Sequence, residues 1–498
     1  MMRFFLLTTV LIVVTSYSTV SSSSLAKFSK RLSDQIAKGE QNFDALIILK
    51  NQADLQYRDD TDLTKGQYVF NELVETAKSQ DSLVARLDED EIRNQAFYVA
   101  NIVAIFAATP KQLQEIADRD DVLKIVSNAE SKTLPPVDKS EIPPSKGMAA
   151  IEESIVSIGA DKVWSEFGVN GEGIVIAGQD TGIDWDHQGL IKSYRGWDGE
   201  NANHDLNWHD SIRESISVKE NKCGLNTEEP CDDNGHGTHT LGTMVGSEGD
   251  TNQVGVAPGA KWVGCRNMDE GVGRLSTYVE CFEWFLAPYP RNGNPRIDGN
   301  PDLAPHIINN SWGCPTSEGC YGEEMILVLE AMKAAGIMVV VSAGNDGPGC
   351  STIQSPPAMH TEQTLSVGAH NHRDGKIAGF SSRGPSAFDG GIGPYVTAPG
   401  VNIRSTTPGG KYAGYFWSGT SMAGPHVAGL IALLWSADSS LIGDIDKTLE
   451  VVRTTATPTA ADGQSCGDVA ADANPNNTFG YGQINAYEAV ASRLGETN

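Results

Sequence analysis

The sequence predicts an α/β protein, with a large domain around a mostly parallel central sheet and a small α+β domain before it. Three observations lead there. Beyond residue 149, apolar runs of strand length (173–179, 262–266, 306–311, 337–343) alternate with helical stretches (236–246, 323–335), the pattern of right-handed βαβ crossovers. The stretch WSGTSMAGPHVAGLIALLW, Trp417 to Trp435, is apolar on all sides after Val427, so it reads as a helix inside a core. Residues 25–131 differ in character, with no Cys and little Gly.

Residues 1–22 read as a cleavable secretory signal. A basic start at Arg3 is followed by an apolar run, Phe4 to Val14, too short to span a bilayer. In residues 23–131, strand-like runs (43–49, 96–107, 122–126) alternate with helical stretches (68–93, 110–118), and Thr109-Pro110 marks a helix start. The order β-α-β-α-β suits helices on one face of an antiparallel sheet. Residues 132–148, rich in Pro and charge, form an extended linker open to proteolysis. The large domain is expected over 149–498.

The 498 residues carry a formal net charge of −27, which argues against nucleic acid or an anionic membrane as partner. No later segment is long and apolar enough to act as an anchor. Eight cysteines in a secreted chain point to as many as four bridges. Cys223 with Cys231, and Cys314 with Cys320, are close enough to close small loops. The other four admit more than one pairing, and Cys265–Cys281 with Cys350–Cys466 is the one expected. Metal ligation is the rival use, and the missing CxxC spacing speaks against it.

Ser421 falls at the start of the buried helix, where free N–H groups and the positive dipole end favour developing negative charge. Taken alone it is most simply an N-cap. Pro425 is expected near the first turn, where its missing N–H is tolerated. Asp180 follows a buried strand, a place where Asp usually forms a turn. Its strand end, like those before Asn310 and Asn345, is where parallel sheets put their chemistry. His236 stands between Gly235 and Gly237 at a helix start. A metal pair with His239 is disfavoured, because the Glu of an HExxH motif is missing. Together Asp, His and Ser meet the needs of acyl transfer: a hydroxyl nucleophile, a base that titrates near neutrality, and a carboxylate that fixes the imidazole.

DTGID around Asp180, NGHGTHTLGT around His236, INNSWG before Cys314, VVVSAGNDGPG around Asn345, FSSRGP (380–385), TAPG (397–400) and GTSMAGPHVAGL around Ser421 resemble the subtilisin family of serine endopeptidases, in that family's order. The inserted Cys loops and YRGWD (194–198) look most like its bacillopeptidase F-type branch. The resemblance implies a subtilisin-like three-layer domain. It implies catalytic roles for Asp180, His236 and Ser421, with Asn345 as side-chain donor to the oxyanion. Ser311, Trp312 and Gly313, with Ser342, Ala343 and Gly344, are the implied edges of the substrate cleft, pairing with an extended peptide. Trp312 could equally be plain core.

One position departs from the family. Where many relatives carry an Asp that helps bind a tight calcium ion, this chain has Gly189, so no metal residue is assigned. The chemistry requires no cofactor, and a weaker structural calcium site elsewhere stays open. The unit 23–131 resembles the family's propeptide, implying a folding aid and intramolecular inhibitor removed by self-cleavage in the linker. The expected protein is a secreted, monomeric serine endopeptidase made as a zymogen and acting on proteins or peptides. The rival is a catalytically silent relative that only binds. Of two N-x-[ST] sequons, Asn309 lies in a core strand and is expected to be silent, while Asn476 lies in a polar loop open to glycosylation.

Overall fold

The structure, a computed structural model, describes residues 26–58, 61–128, 130–132, 150–249, 251–315, 318, 320, 322–323, 325–414, 417–461 and 463–496. The expected signal segment and nearly all of the linker lie outside these residues.

The N-terminal unit has α1 (Lys30–Ala37), β1 (Phe43–Leu49), α2 (Lys65–Ala77), α3 (Asp81–Glu89), β2 (Asn94–Phe97), β3 (Ile102–Ala108), α4 (Pro110–Ala117), β4 (Val122–Ser127) and β5 (Glu130–Lys132). Strands β2-β3-β1-β4 form one antiparallel sheet. Thr109 caps α4 through a capping box with Gln112, and Pro110 stands at the first helical position, as the sequence predicts. The single helix expected over 68–93 is instead two, and the strand expected over 96–107 folds back on itself at 98–101 to give β2 and β3. The positive φ of Asn101 fits that turn.

Both faces of this sheet are covered, which explains why its strands read as unbroken apolar runs. Phe43, Ala45, Ile47, Val103 and Ile105 pack under Leu32, Leu83, Leu87 and Leu113 of the unit's own helices. Leu46, Ile48, Ile102 and Ala104 share a second core with Tyr278, Phe282 and Phe285 of the following domain. The expectation of helices on one face thus holds only for the first core; on the other face α2, through Tyr68, Val69 and Leu73, joins the larger domain in covering the sheet.

That domain is built on a seven-stranded sheet, with β6 (Val175–Asp180), β7 (Trp208–Asp210), β8 (Lys261–Arg266), β11 (Ile307–Asn310), β12 (Met338–Ser342), β13 (Leu365–His370) and β14 (Val396–Pro399) in the order β14-β13-β12-β11-β6-β8-β7. All its pairs are parallel. Successive residues face opposite layers. Ile176, Ile307 and Val340 meet α5 (Glu153–Ser157), α6 (Ala160–Phe167), α7 (His236–Val245) and the central helix, while Ala177, Ile308, Val339 and Val341 meet α8 (Leu275–Leu286) and α9 (Ile326–Ala334). The central helix, α10 (Thr420–Ala437), is buried along nearly all its length. Short strands β9 (Met268–Asp269) and β10 (Val272–Arg274) precede α8.

All four expected disulfides are present: Cys223–Cys231, Cys265–Cys281, Cys314–Cys320 and Cys350–Cys466. Asn476 corrects the sequence reading. It is 2% exposed, its Nδ2 donates to the Thr459 and Ala473 carbonyls, and its Oδ1 accepts from the Thr478 and Phe479 amides. Asn309 is buried, as expected of a core strand.

Candidate active site

Asp180 ends β6 and His236 opens α7, and the structure brings the two into contact. His236 Nδ1 lies 2.8 and 2.9 Å from the two Asp180 carboxylate oxygens, both residues being buried. Two glycines permit this approach. A Cβ on Gly237 would stand 2.2 Å from the Gly182 carbonyl oxygen, and one on Gly182 would stand 1.7 Å from the Cys231 carbonyl oxygen. The α7 start is held by Asp232, which accepts from the Gly235 and Thr238 amides and from the Thr181 hydroxyl. Burial disfavours charge on the His236 ring, but the Asp180 carboxylate outweighs it and lifts the pKa above the usual histidine value.

His239 takes no part in a pair with His236. Its Nε2 lies 3.2 Å from the Ile403 carbonyl oxygen, its ring stacks on Trp417 at 4.6 Å, and burial depresses its pKa to about 3. Trp417 also lies 6.2 Å from the His236 ring, so the segment leading into α10 reaches the same site.

Ser421 is the second residue of α10. Its hydroxyl donates to the Ser311 carbonyl at 3.1 Å, and the Ser311 hydroxyl donates to the Ser421 carbonyl at 3.1 Å. His236 Nε2 is buried with no hydrogen-bond partner. The structure therefore forms the Asp–His contact and holds the Ser421 hydroxyl on Ser311. Pro425 lies inside α10 rather than in its first turn. The i→i−4 rule makes the Ser421 carbonyl the one its ring leaves without an N–H, and Ser311 supplies the missing donor. Asn309 Nδ2 donates to the Ser311 hydroxyl oxygen at 2.9 Å, which turns that hydroxyl's proton toward Ser421.

Asn345 lies beside the α10 start. Its Oδ1 accepts from the Thr420 amide at 3.0 Å and the Thr420 hydroxyl at 2.9 Å, which leaves Nδ2 buried and unpartnered. Asn345 Nδ2 and the Ser421 amide nitrogen lie 3.5 and 3.7 Å from the point where a Gly419 side chain would begin, so two N–H donors flank one spot. Ser342 is in β12, the Ala343 amide donates to the Val367 carbonyl, and the Gly344 amide donates to the Thr420 hydroxyl. Trp312 is 1% exposed and stacks on Tyr278 with ring centroids 3.9 Å apart.

Sequence reasoning missed the edge strand β10. It pairs antiparallel with β5, the last strand of the N-terminal unit, with Ser131 opposite Gly273. Ser131 Oγ donates to the Gly313 carbonyl at 2.6 Å, beside the predicted cleft segment. A Gly-x-Gly run (Gly271, Gly273) before an amphipathic helix was the available signal. Arg266 was missed too. It faces Asp180 across β6–β8, is wholly buried, and lies 2.6 Å from Asp233 and 3.3 Å from Asp210.

Among the described residues, no group of three or more His, Cys, Asp or Glu side chains is placed to hold a metal ion. A carboxylate at Gly189 would have to displace Tyr412, whose hydroxyl lies 2.6 Å from where the added Cβ would be.

The Subtilase family profile matches residues 171–482. Among curated proteins, Bacillopeptidase F of Bacillus subtilis (strain 168) is 35% identical over 449 residues, covering 87% of this chain and 29% of that protein. Serine protease AprX of the same strain is 33% identical, covering 53% of this chain and 59% of its own. Subtilisin E, also of that strain, is 36% identical, covering 41% and 46%. This chain thus spans less than two thirds of the length of each.

Proposed function

The chain belongs to the subtilase family of serine proteases, and from that we propose that it is a secreted serine endopeptidase, made as a self-processing zymogen, that cleaves proteins through an acyl-enzyme. The observation that carries the reading is the buried Asp180–His236 pair at the start of α7, with the ring of Trp417, three residues before α10, 6.2 Å from that of His236. Asp180 holds Nδ1, so the free Nε2 of His236 serves as base. Rotation of the Ser421 side chain off Ser311 brings its hydroxyl to Nε2. The proton passes to His236 as Oγ bonds to the substrate carbonyl carbon. Asn345 Nδ2 and the Ser421 amide receive the negative oxygen. His236 then protonates the leaving amine, and water releases the acyl group by the reverse sequence.

The N-terminal unit acts as an intramolecular inhibitor in this reading. Its β5 lies along β10 as an added strand, the way an extended peptide would. Four disulfides suit an oxidising, extracellular setting, and no helix among the described residues is long and apolar enough to cross a membrane. We expect the protein to act as a monomer, with no metal taking part in the chemistry.

Ser421→Ala tests the reading. Wild-type protein should be labelled by a fluorophosphonate and should lose its N-terminal unit. The variant should do neither. Mature wild-type protein that resists labelling would establish the silent relative instead.

A further inference from the structure

We propose that Arg266 is a positioning residue for the reaction: its buried guanidinium fixes the turn that carries His236, and so holds the imidazole on Asp180. The proposal deepens the peptidase reading and rests on it for the kinetic test, but not for the geometry.

The stretch from 211 to 235, between β7 and α7, contains no helix or strand, yet it delivers His236 to the site. A connection of that length has no ladder of its own to order it. Arg266, on β8, supplies the order from outside. Its side chain is wholly buried. It donates to Asp233 Oδ2 at 2.6 Å, the Gly224 carbonyl at 2.9 Å, Asn221 Oδ1 at 3.0 Å and Asp210 Oδ2 at 3.3 Å. Asp269 Oδ1 lies 3.7 Å away. A planar fork can serve acceptors on several sides at once, which a single ammonium cannot match.

A buried charge cluster holds together only when its carboxylates find further donors. Backbone amides provide them. Asp233 Oδ1 accepts from Glu270, Asp210 from Ile212 and Thr227, and Asp269 from Ile216 and Ser217. The loop is thus wound around one side chain, and the Cys223–Cys231 bridge closes it just ahead of Asp232.

Two adjacent carboxylates carry this order to the base. Asp232 and Asp233 stand four and three residues before His236. Asp232 accepts from the Thr181 hydroxyl, next to Asp180 at the end of β6. Asp233 accepts from Arg266, whose partner across β6–β8 is Asp180 itself. The turn is therefore tied to both strands that frame the Asp180 carboxylate. With the first tie alone it could pivot about Thr181; the second removes that freedom. A drift of about an ångström in the ring is enough to cost about a hundredfold in rate.

Asp233→Asn cuts the second tie and leaves an amide of the same shape. In the mature enzyme kcat should fall by about tenfold or more, with KM little changed. The pH of half-maximal kcat/KM should fall too, because the Asp180 carboxylate that raises the His236 pKa then holds a looser ring. Arg266→Lys keeps the charge but loses the fork and should act alike; where it fails to fold, Asp233→Asn decides. Asp210→Asn takes a carboxylate from the same guanidinium without touching the turn, and should leave kcat and the midpoint near wild type. A second measurement needs no catalysis. In full-length Ser421→Ala protein, the low-field NMR resonance of the His236 Nδ1 proton should move upfield and broaden with Asp233→Asn, and stay in place with Asp210→Asn. Wild-type kcat and midpoint in Asp233→Asn would overturn the proposal, as would an unmoved resonance. Equal losses in Asp210→Asn would overturn it as well, leaving the cluster as structural support alone. A protein that neither takes the fluorophosphonate nor cleaves any peptide defeats the peptidase reading, and the resonance still decides the role of Arg266.

Discussion

Ser311 and Ser421 exchange hydrogen bonds, each hydroxyl donating to the other residue's carbonyl at 3.1 Å. The pairing answers a defect in α10, since Pro425 has no N–H to offer the Ser421 carbonyl. Ser311→Ala should strand that buried carbonyl, lowering stability by about 1–3 kcal/mol and kcat more than KM. Adding Pro425→Ala supplies an N–H from within the helix and should recover much of the loss. Urea midpoints and kinetics on the single and double variants check this, and a double variant no better than Ser311→Ala would contradict it.

Little of this relationship is legible in the sequence. The strands, the central helix and the residues Asp180, His236, Asn345 and Ser421 stand out because each sits in a local pattern: an apolar run, a glycine pair, a strand end. Ser311 and Pro425 are far apart in the chain, and only the fold makes one compensate for the other. The β5–β10 pairing is hidden for the same reason, each partner being too short to show a period of two. Asn476 misleads because polar residues on both sides of it suggest exposure, while its own four hydrogen bonds bury it.

The pH dependence of activity follows from His236. Its pKa lies above the usual value of 6.5 because the Asp180 carboxylate outweighs burial. The ring stays protonated to a higher pH and cannot act as base until that proton leaves. Activity should therefore rise with pH and reach half its plateau above pH 6.5. Asp180→Asn should lower kcat by about 10⁴-fold by removing the partner that fixes the ring. A kcat/KM profile flat between pH 5 and 8 would contradict the assignment of His236 as base.

Acid should unfold the protein through other histidines. Burial depresses His239 and His370 to about 3 and His426 to about 4. In the unfolded chain each returns to about 6.5. The unfolded state then binds more protons as pH falls below that value, so stability is full above it and is lost on acidification. Each ring contributes a slope of up to about 1.4 kcal/mol per pH unit, levelling off near its folded pKa. Glu152, Asp233 and Glu283, raised by burial to about 7, 6 and 8, oppose this by taking up protons in the folded state. The test is therefore a difference. Between pH 7.5 and 5 the urea midpoint of His370→Gln should shift less toward instability than that of the wild type. An unchanged slope in that variant would remove His370 from the account.

Asn476 should carry no glycan when the protein is made in a eukaryotic host, since both Nδ2 hydrogens are donated to carbonyls inside the fold. Asn476→Ala should cost about 1–3 kcal/mol by stranding buried backbone groups. Intact-mass measurement settles the first point and thermal unfolding the second. Full glycan occupancy at this position in native protein would show that the loop folds after modification.

The face of the N-terminal sheet that carries Leu46, Ile48, Ile102 and Ala104 shares its core with Tyr68, Val69 and Leu73 of α2 and with Tyr278, Phe282 and Phe285 of the larger domain. Severing the chain between the two units would therefore change little at first, because greasy surfaces hold the pieces together without a covalent tie. Departure is a separate event, and it uncovers the apolar residues that pack on Tyr278, Phe282 and Phe285. A fragment so weakened is easily digested, which makes its loss a one-way step. If the proposed zymogen reading holds, the onset of activity should follow the fragment's release and not the scission.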